Sequence, residues 1–368
     1  MTAATTKPFS APPRFVVQMV LGARQWLLAL ADAIVPPQLP LFEHATGIGR
    51  TQMLGTAARL RLADLLADGP LHATELAERT SRDPDAMQRM MRALATSGVF
   101  SLKRDGRFAN NRVSAGLRTD QAGSFRHFAD YFGSTSNVGA WSDFARTLET
   151  GKNAFERVHG MSVWDWFDQH PDERSVFAAA MGSMTELEAP GVATAYPFAE
   201  VKRVCDVAGS RGALLAEILG QHPHLLGVLF DNAGVIATAA PLLDARGVLA
   251  RVELLSGSFF EDVPPGCDAY LLKNILHDWD DERSLTILRN CRRAMQPGHR
   301  LLIVELVVER DSARGIGPMS DVQMMMVCSE GRERSRADFA RLFEGAGFKL
   351  CRVVPTAGLM SIVEGVAS

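Results

Sequence analysis

Two stretches of this chain carry residue types that could do chemistry together. The first is Val204-Cys205-Asp206-Val207-Ala208-Gly209-Ser210-Arg211-Gly212, followed by the apolar run Val228-Leu229-Phe230 and then Asp231. A buried strand, a small-residue loop, a helix beginning near Ala213 and an acid at the end of the next strand form a nucleotide-binding arrangement. The loop brings backbone close to a ligand, and the acid accepts hydrogen bonds from ribose hydroxyls. The second stretch is Lys273-Asn274-Ile275-Leu276-His277-Asp278-Trp279. It follows an apolar strand at 269–272 and so stands at that strand's carboxyl end, the edge where open α/β sheets bind ligands. An imidazole there can take a proton from a phenol or another acidic hydroxyl near neutral pH; the plainer alternative is a structural histidine bonded to backbone. Glu305 closes a strand at 301–304 on the same edge, and Glu333 lies in Gly331-Arg332-Glu333-Arg334-Ser335, just before another helix. Either carboxylate can bond one imidazole nitrogen, fix its tautomer and favour its cation; alone, each also reads as a surface charge or a helix cap.

The elements that must position these residues follow from the pattern of apolar positions. From residue 196 to 368 apolar runs at 204–207, 226–230, 252–255, 269–272 and 301–304 alternate with helical patterns, and two further strands fall near 348–354 and 359–364. That alternation predicts an α/β domain with a doubly wound, mainly parallel, Rossmann-like sheet. Residues 46–120 read differently. Met53, Ala57, Leu60, Leu62, Leu65 and Leu66 recur at helical spacing, Thr74 begins a short helix, and Asp83-Pro84 opens another with Met87, Met90, Met91 and Leu94 on its inner face. A hairpin turned at Asp105-Gly106 then completes a winged-helix pattern. Residues 121–195 are helical and aromatic-rich, with Trp141, Trp164, Phe167, Met181 and Met184 as candidates to line a substrate pocket, or else plain core. Residues 1–45 form a loose tail to residue 13 and a largely apolar helix over 15–35, broken by Pro36-Pro37 and Pro40.

Composition excludes several classes. The 368 residues hold 47% hydrophobic and 22% charged positions with a net charge of −3, an ordinary globular balance with no global pull toward nucleic acid or anionic membrane. Arg89 and Arg92 on the third winged-helix segment are too few for a DNA-reading face, so a dimerising role is expected there. Five scattered cysteines, at 205, 267, 291, 328 and 351, suit a reducing cytoplasm, lack metal-ligand spacing and imply no bound metal; Cys205 reads as a small buried apolar residue. Arg24, Gln25 and Asp32 interrupt the N-terminal helix, which is expected to pack on a partner subunit, with a membrane-surface role as the alternative.

In this order the motifs resemble the bacterial and plant small-molecule O-methyltransferases that use S-adenosylmethionine. The resemblance covers roughly residues 45–365 and rests on the winged-helix unit, the Met181–Met184 region, Asp206, Asp231, Gly257-Ser258-Phe259-Phe260, Leu276-His277-Asp278-Trp279 and Gly331-Arg332-Glu333-Arg334 taken together. It implies that His277 is the general base, or orients the acceptor hydroxyl, and that Glu305 and Glu333 position it. It also implies that Asp231 holds the ribose and that Lys273 lies near the cofactor, with Asp206, Gly209, Arg211, Gly212, Ser258 and Phe259 completing the cofactor site. A homodimer formed through the N-terminal domain and a hydrophobic or aromatic acceptor from secondary metabolism follow from the same resemblance. Catalysis would then be mostly proximity and orientation, because the cofactor is already activated.

The cofactor side departs from the family pattern. Its loop normally reads Asp-Val-Gly-Gly-Gly-Thr-Gly, whereas Ala208, Ser210 and Arg211 stand here at positions that are glycine, glycine and a small polar residue. Side chains there restrict φ and hinder close backbone approach. Ser258 replaces an aspartate near the adenine, and Asn232-Ala233 replaces leucine-proline. The substitutions predict weakened cofactor binding. They leave open a non-methylating enzyme on the same scaffold, such as a hydroxylase or a catalyst of pericyclic rearrangement, and a non-enzymatic binding role.

Overall fold

The computed structural model describes residues 14–121, 123–312 and 315–368, so the expected tail at 1–13 lies outside the described residues. Contacts gather the chain into two compact units. One holds Leu21–Phe144 with Arg157–Leu187; the other holds Ala145–Glu156 with Glu188–Ser368 and the start of the N-terminal helix.

Helices Gly47–Arg59, Ala73–Thr80 and Pro84–Thr96 precede a hairpin of β1 (Phe100–Leu102) and β2 (Phe108–Asn110). Pro84 starts the third of these helices at the position where its missing N–H is harmless, and the Asp83 carboxylate accepts from Ala86 N at 2.8 Å. Met87, Met91 and Leu94 face inward and are buried with Leu62, Leu76, Phe100 and Phe108, which is the winged-helix core read from the spacing. Arg89 pairs with Asp85 at 2.8 Å on the exposed face of the same helix, as a solvated i, i+4 pair. The aromatic-rich segment is helical throughout, ending in the long helix Pro171–Ala195.

The N-terminal helix runs over Arg14–Ala33, and a second begins at Gln38. Pro36 and Pro37 separate them, but Pro40 does not break anything. It lies in the first turn of Gln38–Ala45, where backbone N–H groups have no helical partner to lose. Phe15, Met19, Trp26, Leu27 and Leu30 are all exposed. The segment Phe15–Ala33, with mean hydropathy 1.2, is long and apolar enough to cross a bilayer by length and composition alone.

In the second unit seven strands form one sheet: β3 (Arg203–Val207), β4 (Leu226–Asp231), β5 (Val252–Ser256), β6 (Ala269–Lys273), β7 (Arg300–Glu305), β8 (Phe348–Pro355) and β9 (Ser361–Ala367). Their order is β5-β4-β3-β6-β7-β9-β8, parallel from β5 to β7, with β9 antiparallel to both neighbours. Each central strand is covered on both faces. Val204, Leu229, Leu271 and Leu302 point into one core, and Cys205, Val228, Tyr270 and Leu301 into the other. The strand order reverses between β3 and β6, so a crevice opens outside their carboxyl ends, and the loops after these two strands are the ones that carried the chemical motifs.

Candidate active site

The loop after β3 takes the conformation of a glycine loop without its glycines. Ala208 and Ser210 sit at φ 56° and 54°, and Gly212 at φ 80°, all in the left-handed region. Hydrogen bonds hold this shape: Ala208 N donates to Phe230 O at 2.7 Å, and Ser210 N to Asp231 Oδ2 at 2.9 Å. Gly209 in this loop has no room for a side chain. A Cβ there would come within 2.5 Å of Asp206 Cγ and 2.6 Å of Leu229 Cδ1. The substitutions therefore leave the loop's path intact and place the cost in backbone strain. Arg211 is exposed and makes no ion pair among the described residues.

Beneath the loop lies a cluster of charges. Asp206 is 1% exposed. Burial raises its pKa to about 7, helped by the nearby Asp231 charge and opposed by Lys273. Its Oδ2 has no hydrogen-bond partner. Asp231 ends β4, accepts from Ser210 N and from Asn232 N at 2.7 Å, and is itself raised by burial. A carboxylate has about four lone-pair sites, so these two bonds leave room for a ribose. Lys273 ends β6, with Nζ 2.9 Å from Glu188 Oε2 and both side chains nearly buried. Ser258 lies past the end of β5 and accepts from Phe260 N at 3.3 Å. It helps to line a cavity of about 210 Å³ with Phe230 and Gly257. Phe259 packs partly on the core beside Phe260 and Trp279.

Across the crevice, β6 gives way to the single 3-10 turn Leu276–Asp278, which presents His277. Both ring nitrogens face carboxylates: Nδ1 lies 3.2 Å from Glu333 Oε1, and Nε2 lies 3.6 Å from Asp278 Oδ1. Burial pushes the imidazole toward its neutral form, but the charges of Asp278, Glu333 and Glu305 and the Glu333 hydrogen bond outweigh it, and its pKa stands at about 10. These charges favour the imidazolium over the neutral base expected from the sequence. Glu305 also acts otherwise than expected. It does not bond the ring; its Oε1 accepts the backbone N–H groups of Ile275, Leu276 and His277 at 3.2, 2.7 and 3.2 Å and so shapes the turn. Glu333 is fixed in turn by Ser320 Oγ at 2.7 Å.

Arg334, fully buried, anchors the same turn. Its guanidinium donates to Leu276 O at 2.6 Å, Trp279 O at 2.9 Å and Asp281 Oδ1 at 2.8 Å. Arg334 was visible in the sequence only as part of a motif, and Asp278 only as the neighbour of His277. Ser320 and Glu188 had no signal at all, because each meets its partner through the fold.

The aromatic candidates belong to the other unit. Phe167 is buried and stacks on Phe177 at 4.7 Å between ring centroids; Trp164 meets both rings edge-on, and Trp141 stacks on Phe144 at 6.1 Å. Met181 and Met184 are half-buried on the helix Pro171–Ala195.

Comparison with known proteins finds relatives over most of the chain. An O-methyltransferase domain matches residues 141–349 and an O-methyltransferase dimerisation domain matches residues 42–120. A phenazine O-methyltransferase of Lysobacter antibioticus is 39% identical over 90% of this chain and 96% of its own length. The crystal structure of LaPhzM superposes with a TM-score of 0.87 at 38% identity, covering 91% of this chain and all of that one. CalO1, a methyltransferase of calicheamicin biosynthesis solved with S-adenosylhomocysteine bound, superposes with a TM-score of 0.79 at 36% identity over 90% of this chain and 98% of its own.

Proposed function

This chain belongs to the S-adenosylmethionine-dependent small-molecule O-methyltransferases that carry an N-terminal dimerisation domain, and we propose that it methylates an acidic hydroxyl on a planar aromatic compound of secondary metabolism. The observation that carries the acidic-hydroxyl reading is the setting of His277, whose two ring nitrogens both face carboxylates. A ring held in that way is a donor at rest. It suits an acceptor that reaches the site already ionised and needs to be oriented by a charge-assisted hydrogen bond.

The residues present fit the cofactor. The strained loop keeps its glycine-like path, the carboxylate of Asp231 has open lone pairs, and Asp206 keeps a buried oxygen without a partner. Asp231 would hold the ribose; Ser258 and Phe259 would flank the base; Asp206, Gly209, Arg211, Gly212 and Lys273 would surround the remainder. S-adenosylmethionine supplies an electrophilic methyl group on a sulfonium. The protein's own work is then positional. Glu305 and Arg334 fix the turn, Glu333 fixes the ring, and His277 holds the acceptor oxygen, as expected for a reaction in which orientation is most of the catalysis. The phenazine O-methyltransferase relative from Lysobacter supports a flat aromatic acceptor. A homodimer that uses the winged-helix unit and the exposed N-terminal helix, in the cytoplasm and without nucleic acid or membrane, completes the proposal.

The test is a methyl-transfer assay with a panel of hydroxylated tricyclic heteroaromatics and naphthoates that spans phenol acidity, read as S-adenosylhomocysteine release and methylated product mass. The expected result is turnover that is strongest for the most acidic hydroxyls. Binding of S-adenosylmethionine with no methylated product from any acidic phenol would count against the reading.

A further inference from the structure

The Lys273–Glu188 contact has features that a structural ion pair does not need. It joins the carboxyl end of β6 to the helix Pro171–Ala195, with side chains only 8% and 6% exposed. Glu188 Oε2 is paired with the Lys273 ammonium at 2.9 Å, while its buried Oε1 has no hydrogen-bond partner. A buried carboxylate oxygen left open is costly unless a donor arrives. The orphaned Oδ2 of Asp206 belongs to a residue close enough to Lys273 and Asp231 to feel both charges. The crevice between β3 and β6 therefore holds three carboxylates, Glu188, Asp206 and Asp231, against the single ammonium of Lys273.

From this arrangement we propose that Glu188, with Lys273, receives the zwitterionic amino-acid end of the cofactor. Glu188 accepts the α-ammonium, and Lys273 faces the α-carboxylate. The inference rests on the methyl-transfer reading and adds to it a residue with no motif in the sequence. Three observations converge on it. An α-ammonium brings three N–H donors, and Glu188 offers a buried Oε1 that lacks one. The ammonium and carboxylate of an amino acid match the charges of the Glu188–Lys273 pair in opposite order, so the four groups can form an alternating set. The excess negative charge also suits S-adenosylmethionine, whose sulfonium and ammonium outnumber its one carboxylate.

The test uses two probes that differ only at this end of the molecule. S-adenosylhomocysteine has the amino-acid tail, and 5′-methylthioadenosine lacks it. Calorimetric titration of the full-length protein should show that Glu188→Gln weakens S-adenosylhomocysteine binding by roughly tenfold to a hundredfold, the range for a lost charge-assisted hydrogen bond, while 5′-methylthioadenosine binding changes by less than about twofold. Because Glu188→Gln leaves Lys273 buried without its counter-charge, the double variant Glu188→Gln/Lys273→Met is the companion. It removes both charges and should show the same selective loss. Retained 5′-methylthioadenosine binding certifies the fold in each case. Equal loss for both probes, or unchanged S-adenosylhomocysteine binding in either variant, overturns the assignment and leaves the pair a structural one. A wild-type protein that binds neither probe overturns the methyl-transfer reading and this inference with it.

Discussion

Restoring glycine at Ala208 and Ser210 should stabilise the fold more than it tightens the cofactor. Both residues hold φ near 55°. An L-residue in the left-handed region costs about 1–2 kcal/mol. Glycine gives back part of that gain through its more mobile unfolded state, about 0.4–1 kcal/mol per site. The net is roughly 0.5–1 kcal/mol for each substitution and about 1–2 kcal/mol for Ala208→Gly/Ser210→Gly. For a domain of this size that corresponds to a rise in Tm of roughly 2–8 °C. The loop's own hydrogen bonds to Phe230 and Asp231 hold this path, so the strain belongs to folding. The affinity for S-adenosylhomocysteine should accordingly move by less than about threefold, under 1 kcal/mol. Differential scanning fluorimetry without ligand and calorimetric titration with it make the two measurements. An unchanged or lower Tm together with a tenfold gain in affinity would refute the reasoning, since the loop would then be taking its left-handed path only on binding. The weakened cofactor binding expected from the sequence would in that case come from the loop after all, and otherwise only from Arg211 and Ser258.

Gly209→Ala should do the opposite: its Cβ would meet Asp206 and Leu229, so a loss of about 1–3 kcal/mol in stability is expected, checked by denaturant titration. Because the folded pKa of Asp206 is raised to about 7 from the ordinary carboxylate value of 3.8, the folded chain binds the extra proton between those values, and this group's contribution to stability falls as pH rises from about 4 to 7. A cationic cofactor favours the ionised carboxylate, so affinity should rise through about pH 7 with release of a proton; buffer-independent binding enthalpy, or the same pH dependence in Asp206→Asn, would exclude this. His277 has a folded pKa raised to about 10, so its stabilising contribution is complete below about pH 6.5 and is lost as pH climbs through 10. Histidine-labelled NMR should show the imidazolium persisting to pH 9, and Glu333→Gln should lower its pKa by one unit or more; a wild-type ring that titrates near 6.5 would dismiss the cationic resting state. Glu305→Ala leaves three N–H groups of the 275–277 turn without their acceptor and should cost at least about 1–3 kcal/mol in stability, with turnover falling together with the order of the turn.

Much of this protein was legible in its sequence. Alternation along the strand runs, with Val204 and Cys205 or Leu271 and Tyr270 facing opposite ways, needs only the two-residue period of a strand and two apolar layers to receive it. The Asp83-Pro84 start and the Met87, Met91 and Leu94 face specify a helix for equally local reasons. His277 and Asp231 could be placed at the ligand-binding edge because that edge is set by strand direction. The tertiary structure decided what no local pattern encodes. It put left-handed backbone on Ala208 and Ser210 because the hydrogen bonds to Phe230 and Asp231 hold the loop whatever its side chains. It turned Glu305 from an expected ring partner into the acceptor for a backbone turn, and it gave His277 a second carboxylate in Asp278. It brought Glu188 to Lys273 across a separation in sequence that carries no spacing signal. The charge state of a buried group depends on everything packed around it, and that surrounding is assembled only when distant segments meet.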